Sequence, residues 1–377
     1  MKKINLFSVS LGLAFLMFLF VLGMVFTGNI GSAGPYTLVF FAALALGFSG
    51  YKIMDGLVFT TMIFAGVSAA LYYPELFTYV GDFKLTILII PLIQIIMFGM
   101  GTQMGLKDFA AVFKTPRGVF IGVAAQLLIM PLVGFALAKT SDFPPEIAAG
   151  IVLIGCSPSG VASNVMAYLA KANLALSITI TSIATLLAPF LTPLLMKLLA
   201  GEFVEIHVLD MMWSITKMII IPIGAGLLFN RIFKTEWLDR AMPVVSMLAI
   251  GLIITIITAA GRDSLLDIGG ILMLLVLIHN LFGYSLGYGF AKLFKMPEQD
   301  ARTIAIEVGM QNGGLASGIA NSLGKITTMG LAPAVFGPLM NVTGSILASY
   351  WHKRPPKGHE DSKVVKEHIG TVEQNNH

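Results

Sequence analysis

Glu307 opens the segment EVGMQNGGLASG (307–318), which lies within an otherwise apolar stretch. A carboxylate at the centre of a helix surrounded by lipid costs roughly 2.5–3.5 kcal/mol on insertion scales, so it implies a partner or a task. No lysine or arginine stands at an obviously facing depth; Lys217 can snorkel from its apolar run to the interface. A bound cation is the economical partner. The polar residues nearby in pattern offer oxygen, without clustered His or Cys, which suits a hard ion such as Na⁺ or a proton and not zinc or iron.

A second segment, GCSPSGVASN (155–164), also interrupts an apolar run with helix breakers and side-chain oxygens. Unwound backbone is tolerated at membrane depth only where protein or a water-filled cavity satisfies its freed groups. Two such breaks facing each other would build a site from carbonyls, side chains and half-helix N-termini. The alternative is a pair of Pro or Gly kinks packed by neighbouring helices. Around them, Gln126 stands alone in an apolar run, and Ser177 and Thr181 lie one turn apart on a shared face. Ser and Thr commonly bond their own helix backbone, so these two alone decide nothing. His279 and Asn280 are explained as well by interhelical hydrogen bonding as by ligand contact.

These residues need a scaffold, and composition names it. Hydrophobic residues form 56% of the 377 and charged ones 12%, which describes a polytopic membrane protein. Apolar runs of about twenty residues recur, each able to cross as helix, where a barrel would show short alternating segments. The fold expected is all-α, with twelve spans near 5–27, 35–51, 57–75, 84–105, 117–139, 145–171, 172–200, 209–232, 241–261, 268–294, 299–324 and 328–351. The first run exceeds the usual 7–15 residues of a signal segment and is expected to be retained. No Arg- and Ser-rich transit peptide precedes it, which favours a bacterial inner membrane.

With the N-terminus inside, eighteen Lys and Arg fall on the cytoplasmic side and five outside, so both termini are expected in the cytoplasm. The net charge of +4 then reflects topology and anionic headgroups, with no reason to invoke nucleic acid. The tail from 353 is polar, mixed in charge and expected to be disordered. Cys156 is the single cysteine, which excludes an intrachain disulfide and a thiolate metal site.

Sliding the chain by 154 residues lays SGVASN (159–164) on GGLASG (313–318), Gly155 on Gly309 and Gln126 on Asn280. The same shift superposes the starts of spans 3–7 near those of 8–12. A five-span unit is odd, so its second copy enters the membrane from the opposite side. Inverted repeats of this kind belong to secondary transporters, where one bundle rocks against another around a midplane site. The expected domains are accessory helices at 1–54, a first repeat at 55–208, a second at 209–352 and the tail at 353–377.

At these positions the sequence resembles the bile acid:sodium symporter family, as a bacterial member, over about residues 57–352. The signatures are GCSPSGVASN with ALS at 175–177, and IEVGMQNGGLA at 306–316; FGMG at 98–101 and AQLLIMP at 125–131 fit as well. The resemblance implies ten spans in two inverted repeats, a panel and a core domain, and broken helices crossing in the core. It implies one sodium site at Ser163, Asn164, Ser177, Thr181 and Glu307. A second is implied at Gln126, Glu307 and Gln311 with the carbonyls of Val308 and Met310. Asn312 matches the region that holds an organic anion's carboxylate, and Asn341 a polar residue of the last span that can face the cavity. Val161 stands where some relatives have a threonine able to touch substrate, and spans 1 and 2 extend the ten-span pattern, so cargo and accessory role stay open.

The function implied is sodium-coupled import of a small organic monoanion by alternating access, with no cofactor beyond Na⁺ as coupling ion. A proton-coupled or outward-directed carrier of related fold is the alternative. An enzyme is disfavoured by the lack of HExxH, of a Ser/His/Asp constellation and of a reactive Cys, and a receptor would have no use for the repeat.

Overall fold

The computed structural model describes residues 6–51, 54–104, 116–233 and 236–356. Lys2, Lys3, Lys52, Lys107, Lys114 and Lys234, which weigh in the charge bias, lie outside the described residues, as does the tail from 357. The described chain is built from helices: α1 Leu6–Phe26, α2 Gly34–Phe48, α3 Asp55–Tyr72, α4 Glu75–Thr78, α5 Ile89–Gln103, α6 Pro116–Thr140, α7 Pro145–Cys156, α8 Ala162–Leu169 and α9 Leu174–Ala200. There follow α10 Val208–Met218, α11 Ile220–Phe233, α12 Glu236–Ala260, α13 Arg262–Leu293, α14 Glu298–Gly309, α15 Gly313–Ser322 and α16 Leu331–His352. A two-stranded hairpin, Tyr79–Val80 against Phe83–Lys84, is the small exception, turning at Gly81 with φ +59°.

Eight helical segments among the described residues are long and apolar enough to cross a membrane, so the protein is multi-pass. Helices α2 and α3 are shorter, and the expected spans 145–171 and 299–324 are each two short helices joined by unwound backbone. The expected span 209–232 crosses as Val208–Phe233 with a kink at Ile219. There the backbone is distorted to φ −114°, ψ −64°, while Ile219 N still donates to the Ile215 carbonyl and Ile223 N to that of Ile219. Pro222 explains the kink, since proline cannot return a hydrogen bond to the carbonyl four residues earlier. Gln94 on α5 donates to the nearby Lys217 carbonyl at 3.2 Å.

Helix α1 packs on α2 and α2 on α3, through ring contacts such as Phe20–Tyr36 and Phe41–Phe64. Most of α1 is exposed apolar surface, suited to lipid. The densest burial is elsewhere: α7 from Ile147 to Cys156 and α14 from Ala301 to Gly309 are buried throughout, enclosed by α6, α9, α13 and α16.

Candidate functional site

The first break begins where Ser157 turns extended, at φ −80°, ψ 150°. Pro158 after it disfavours the α conformation there. The second begins at Met310, φ −110°, ψ 104°, and closes when Asn312 caps α15 by accepting from Leu315 N at 3.0 Å. The two breaks meet as an antiparallel bridge of Ser159 with Gln311. Gly160 N donates to the Met310 carbonyl at 3.1 Å and Asn312 N to that of Pro158 at 2.8 Å. A Cβ at Gly160 would come 3.1 Å from the Gln311 carbonyl oxygen, so the approach suits glycine.

Carbonyls freed by the breaks have donors. Cys156 O accepts from Thr192 Oγ1 at 2.8 Å, Ser157 O from Gln126 Nε2 at 3.0 Å, Val308 O from Gln311 Nε2 at 2.6 Å and Gly309 O from Asn280 Nδ2 at 2.8 Å. This is how irregular backbone persists in a buried setting.

Glu307, two residues before the end of α14, is fully buried. Its Oε1 accepts from Ser163 Oγ at 2.7 Å and from Ser177 Oγ; its Oε2 accepts from Ser159 Oγ at 2.6 Å and Thr181 Oγ1 at 2.7 Å. The arginine of its own helix, Arg302, pairs with Glu298 instead, at 2.9 Å. The carboxylate thus sits among neutral dipoles. Four bonds to a charged group, at about 1.5–3 kcal/mol each, can offset the several kcal/mol of hydration a buried ion loses, so the site can hold a charged carboxylate that a cation or a proton would neutralise. Each hydroxyl can donate to the carboxylate and still present oxygen lone pairs to an ion.

Asn164 adjoins this cluster, its Oδ1 standing 2.9 Å from Ser177 Oγ and 3.3 Å from Thr181 Oγ1, as an alternative acceptor for the protons those hydroxyls direct at Glu307. The first five residues singled out in the sequence therefore converge. On the other side of the bridge, Gln126 Nε2 reaches Gln311 Oε1 at 2.7 Å, and Gln126 Oε1 is buried without a partner, an oxygen with capacity to spare. Gln126, Gln311 and the Val308 and Met310 carbonyls are brought together around the second break.

The other three residues are less tightly drawn in. Asn312 is committed to its cap, Val161 at the start of α8 is 40% exposed, and Asn341 is buried in α16, which packs on α8. His279 serves packing, its Nε2 against the Met130 carbonyl at 2.9 Å and its ring edge-on to Phe336. Ser159 was missed as a site residue: on unwound backbone no helical period reports where a side chain points.

The chain is similar in sequence to known proteins. The profile of the Sodium Bile acid symporter family matches residues 90–268. The "uncharacterized sodium-dependent transporter YocS" of Bacillus subtilis (strain 168) is 42% identical over 294 residues, covering 77% of this chain and 89% of that one. The probable sodium/metabolite cotransporter BASS1, chloroplastic, of Arabidopsis thaliana is 31% identical over 271 residues, 71% of this chain and 68% of that one. BASS5 of the same plant, also a probable chloroplastic sodium/metabolite cotransporter, is 32% identical over 314 residues, 80% and 75% of the two chains. An oxygen-lined carboxylate at two joined helix breaks, in a chain this similar to sodium-dependent transporters, makes the conclusion plain: it belongs to the sodium bile acid symporter family, a family of transporters and not of enzymes.

Proposed function

We propose that the protein imports a small organic monoanion together with Na⁺ by alternating access across a bacterial inner membrane, both termini cytoplasmic. The observation that carries this reading is the Glu307 carboxylate, buried with no basic partner among the described residues and held by four hydroxyls from the first break, α8 and α9. In our reading one sodium lies among Ser163, Asn164, Ser177, Thr181 and Glu307. Another lies among Gln126, Glu307, Gln311 and the carbonyls of Val308 and Met310, and the anion meets Asn312, Val161 and Asn341 nearby. Sodium-dependent relatives support the coupling ion; the anion and the direction are our inference.

We assign two inverted repeats, 55–208 and 209–352, with α1 and α2 accessory. Three pairings 154 residues apart support this. Gln126 and Asn280 each donate an amide to a carbonyl at the break of the following helix. Glu146 at the start of α7 meets Lys325 and Thr328 beyond α15, while Asp300 at the start of α14 meets Asn173 beyond α8. Lys171 and Lys325 follow α8 and α15 at matching places.

The test is uptake into liposomes holding purified protein, with small carboxylates screened in sodium, choline and proton gradients. Uptake driven by sodium supports the reading. Equal uptake in choline, or uptake driven by protons alone, selects the proton-coupled alternative.

A further inference from the structure

We infer that Asn280 is a positioning residue for the ion site, and that the Thr343 hydroxyl ties its setting to the last helix, α16. This rests on the sodium reading above and adds to it a residue pair outside the proposed ligand set.

Asn280 is fully buried on α13, and both ends of its amide are used. Its Nδ2 donates to the Gly309 carbonyl at 2.8 Å, and its Oδ1 accepts from Thr343 Oγ1 at 2.6 Å. Gly309 ends α14, so its carbonyl has no donor four residues ahead in a continuing helix. The peptides on either side carry the Val308 and Met310 carbonyls proposed to face sodium, and fixing Gly309 fixes their direction. Tyr284, one turn beyond Asn280 on α13, grips the same residue: a Cβ at 309 would fall 2.2 Å from its Cδ1. An amide that aims ligating carbonyls without touching the ion is a supporting group of the kind that sets ligand orientation at metal sites.

Thr343 gives this support two settings. Its hydroxyl has one proton, and besides Asn280 Oδ1 it has the carbonyls of Leu339 and Met340 on its own helix at 3.1 and 3.2 Å. Return of that proton to its own backbone, common for Thr in membrane helices, would leave Asn280 Oδ1 with only the Tyr284 hydroxyl, itself 3.4 Å from Thr343 Oγ1, as a donor. A small displacement of α16 is enough to favour one acceptor over the other. Asn341, proposed to face substrate, lies two residues before Thr343 on that helix. Movement of α16 is thereby registered at the carbonyls on the sodium side.

The test is equilibrium binding of ²²Na⁺ to purified full-length protein, followed by hydrogen exchange across residues 339–345 with sodium or choline present. Thr343→Val keeps the shape and removes the hydroxyl, whereas Thr343→Ser keeps the hydroxyl. Sodium affinity is expected to be unchanged in Thr343→Ser and to fall about 10–100-fold in Asn280→Ala, the range for supporting residues at metal sites, with Thr343→Val falling less. Sodium slows exchange in 339–345 in the wild type and in Thr343→Ser, and not in Thr343→Val. Wild-type affinity in both Asn280→Ala and Thr343→Val overturns the inference. If Asn280→Ala does not fold, the Val and Ser pair decides alone, because a packing role would spare Thr343→Val and impair Thr343→Ser, the reverse of the order expected here. Absence of Glu307-dependent sodium binding in the wild type overturns the sodium site itself and this inference with it.

Discussion

Gln126 on α6 and Gln311 in the second break are joined side chain to side chain at 2.7 Å, although 185 residues separate them in sequence. Gln126 also holds the Ser157 carbonyl of the first break, so one amide touches both interruptions. Gln126→Ala leaves buried oxygens on both unpaired, at about 1–3 kcal/mol each. It should lower thermal stability and remove cooperativity in sodium while leaving sodium binding measurable. Retained cooperativity in a titration of uptake against sodium would count against a second ion there.

Glu307→Gln keeps the volume and discards the charge. Two cations would then face neutral oxygens in a site of low effective dielectric, and affinity should drop by more than the roughly 10–100-fold typical of a supporting residue. Transport should fail with it. Sodium binding at wild-type strength in this variant would show that the ion sits elsewhere.

Ser159 offers a different signature. Its hydroxyl donates to Glu307 Oε2 at 2.6 Å, a bond worth about 1.5–3 kcal/mol where the acceptor is charged. Ser159→Ala should therefore melt earlier in choline chloride, and sodium should recover part of the loss because an ion offers the carboxylate another partner. Equal destabilisation in the two salts would mean the hydroxyl serves packing alone.

Asn312 and Asn321 lie on one helix and should behave differently. Asn312 caps α15 at the break, whereas Asn321 Nδ2 donates to the Thr86 carbonyl at 3.2 Å near the far end of that helix. Loss of an N-cap costs about 0.5–2 kcal/mol, and in Asn312→Ala that loss falls where the anion is proposed to bind. Uptake at matched expression should suffer much more from Asn312→Ala than from Asn321→Ala. Similar losses would move the substrate region away from the break.

What the sequence disclosed follows from which interactions are periodic. Ser177 and Thr181 are a helical turn apart, so their shared approach to Glu307 could be anticipated from spacing. Pro158 was a fair sign of a break because Gly155, Gly160 and two serines surround it. Proline alone is a poor one: α9 continues through Pro189 and Pro193, and the chain only kinks at Ile219, three residues before Pro222. Gln94, which answers the Lys217 carbonyl beside that kink, is announced by no local pattern. Thr192 beneath Cys156 and Thr343 beside Asn280 were hidden for the same reason, since each answers a carbonyl or amide from a remote helix.

The bridge between the breaks consists of bonds from Gly160 N and Asn312 N, both backbone atoms. Side-chain replacement deletes neither donor, although a Cβ at Gly160 would press on the Gln311 carbonyl, so the crossing and the side chains around Glu307 are held by separate sets of atoms. Only proline at 160 or 312 would erase an N–H. A change of side chain at Glu307 or Ser177 would therefore alter what the site can hold while leaving both donors of the crossing in place.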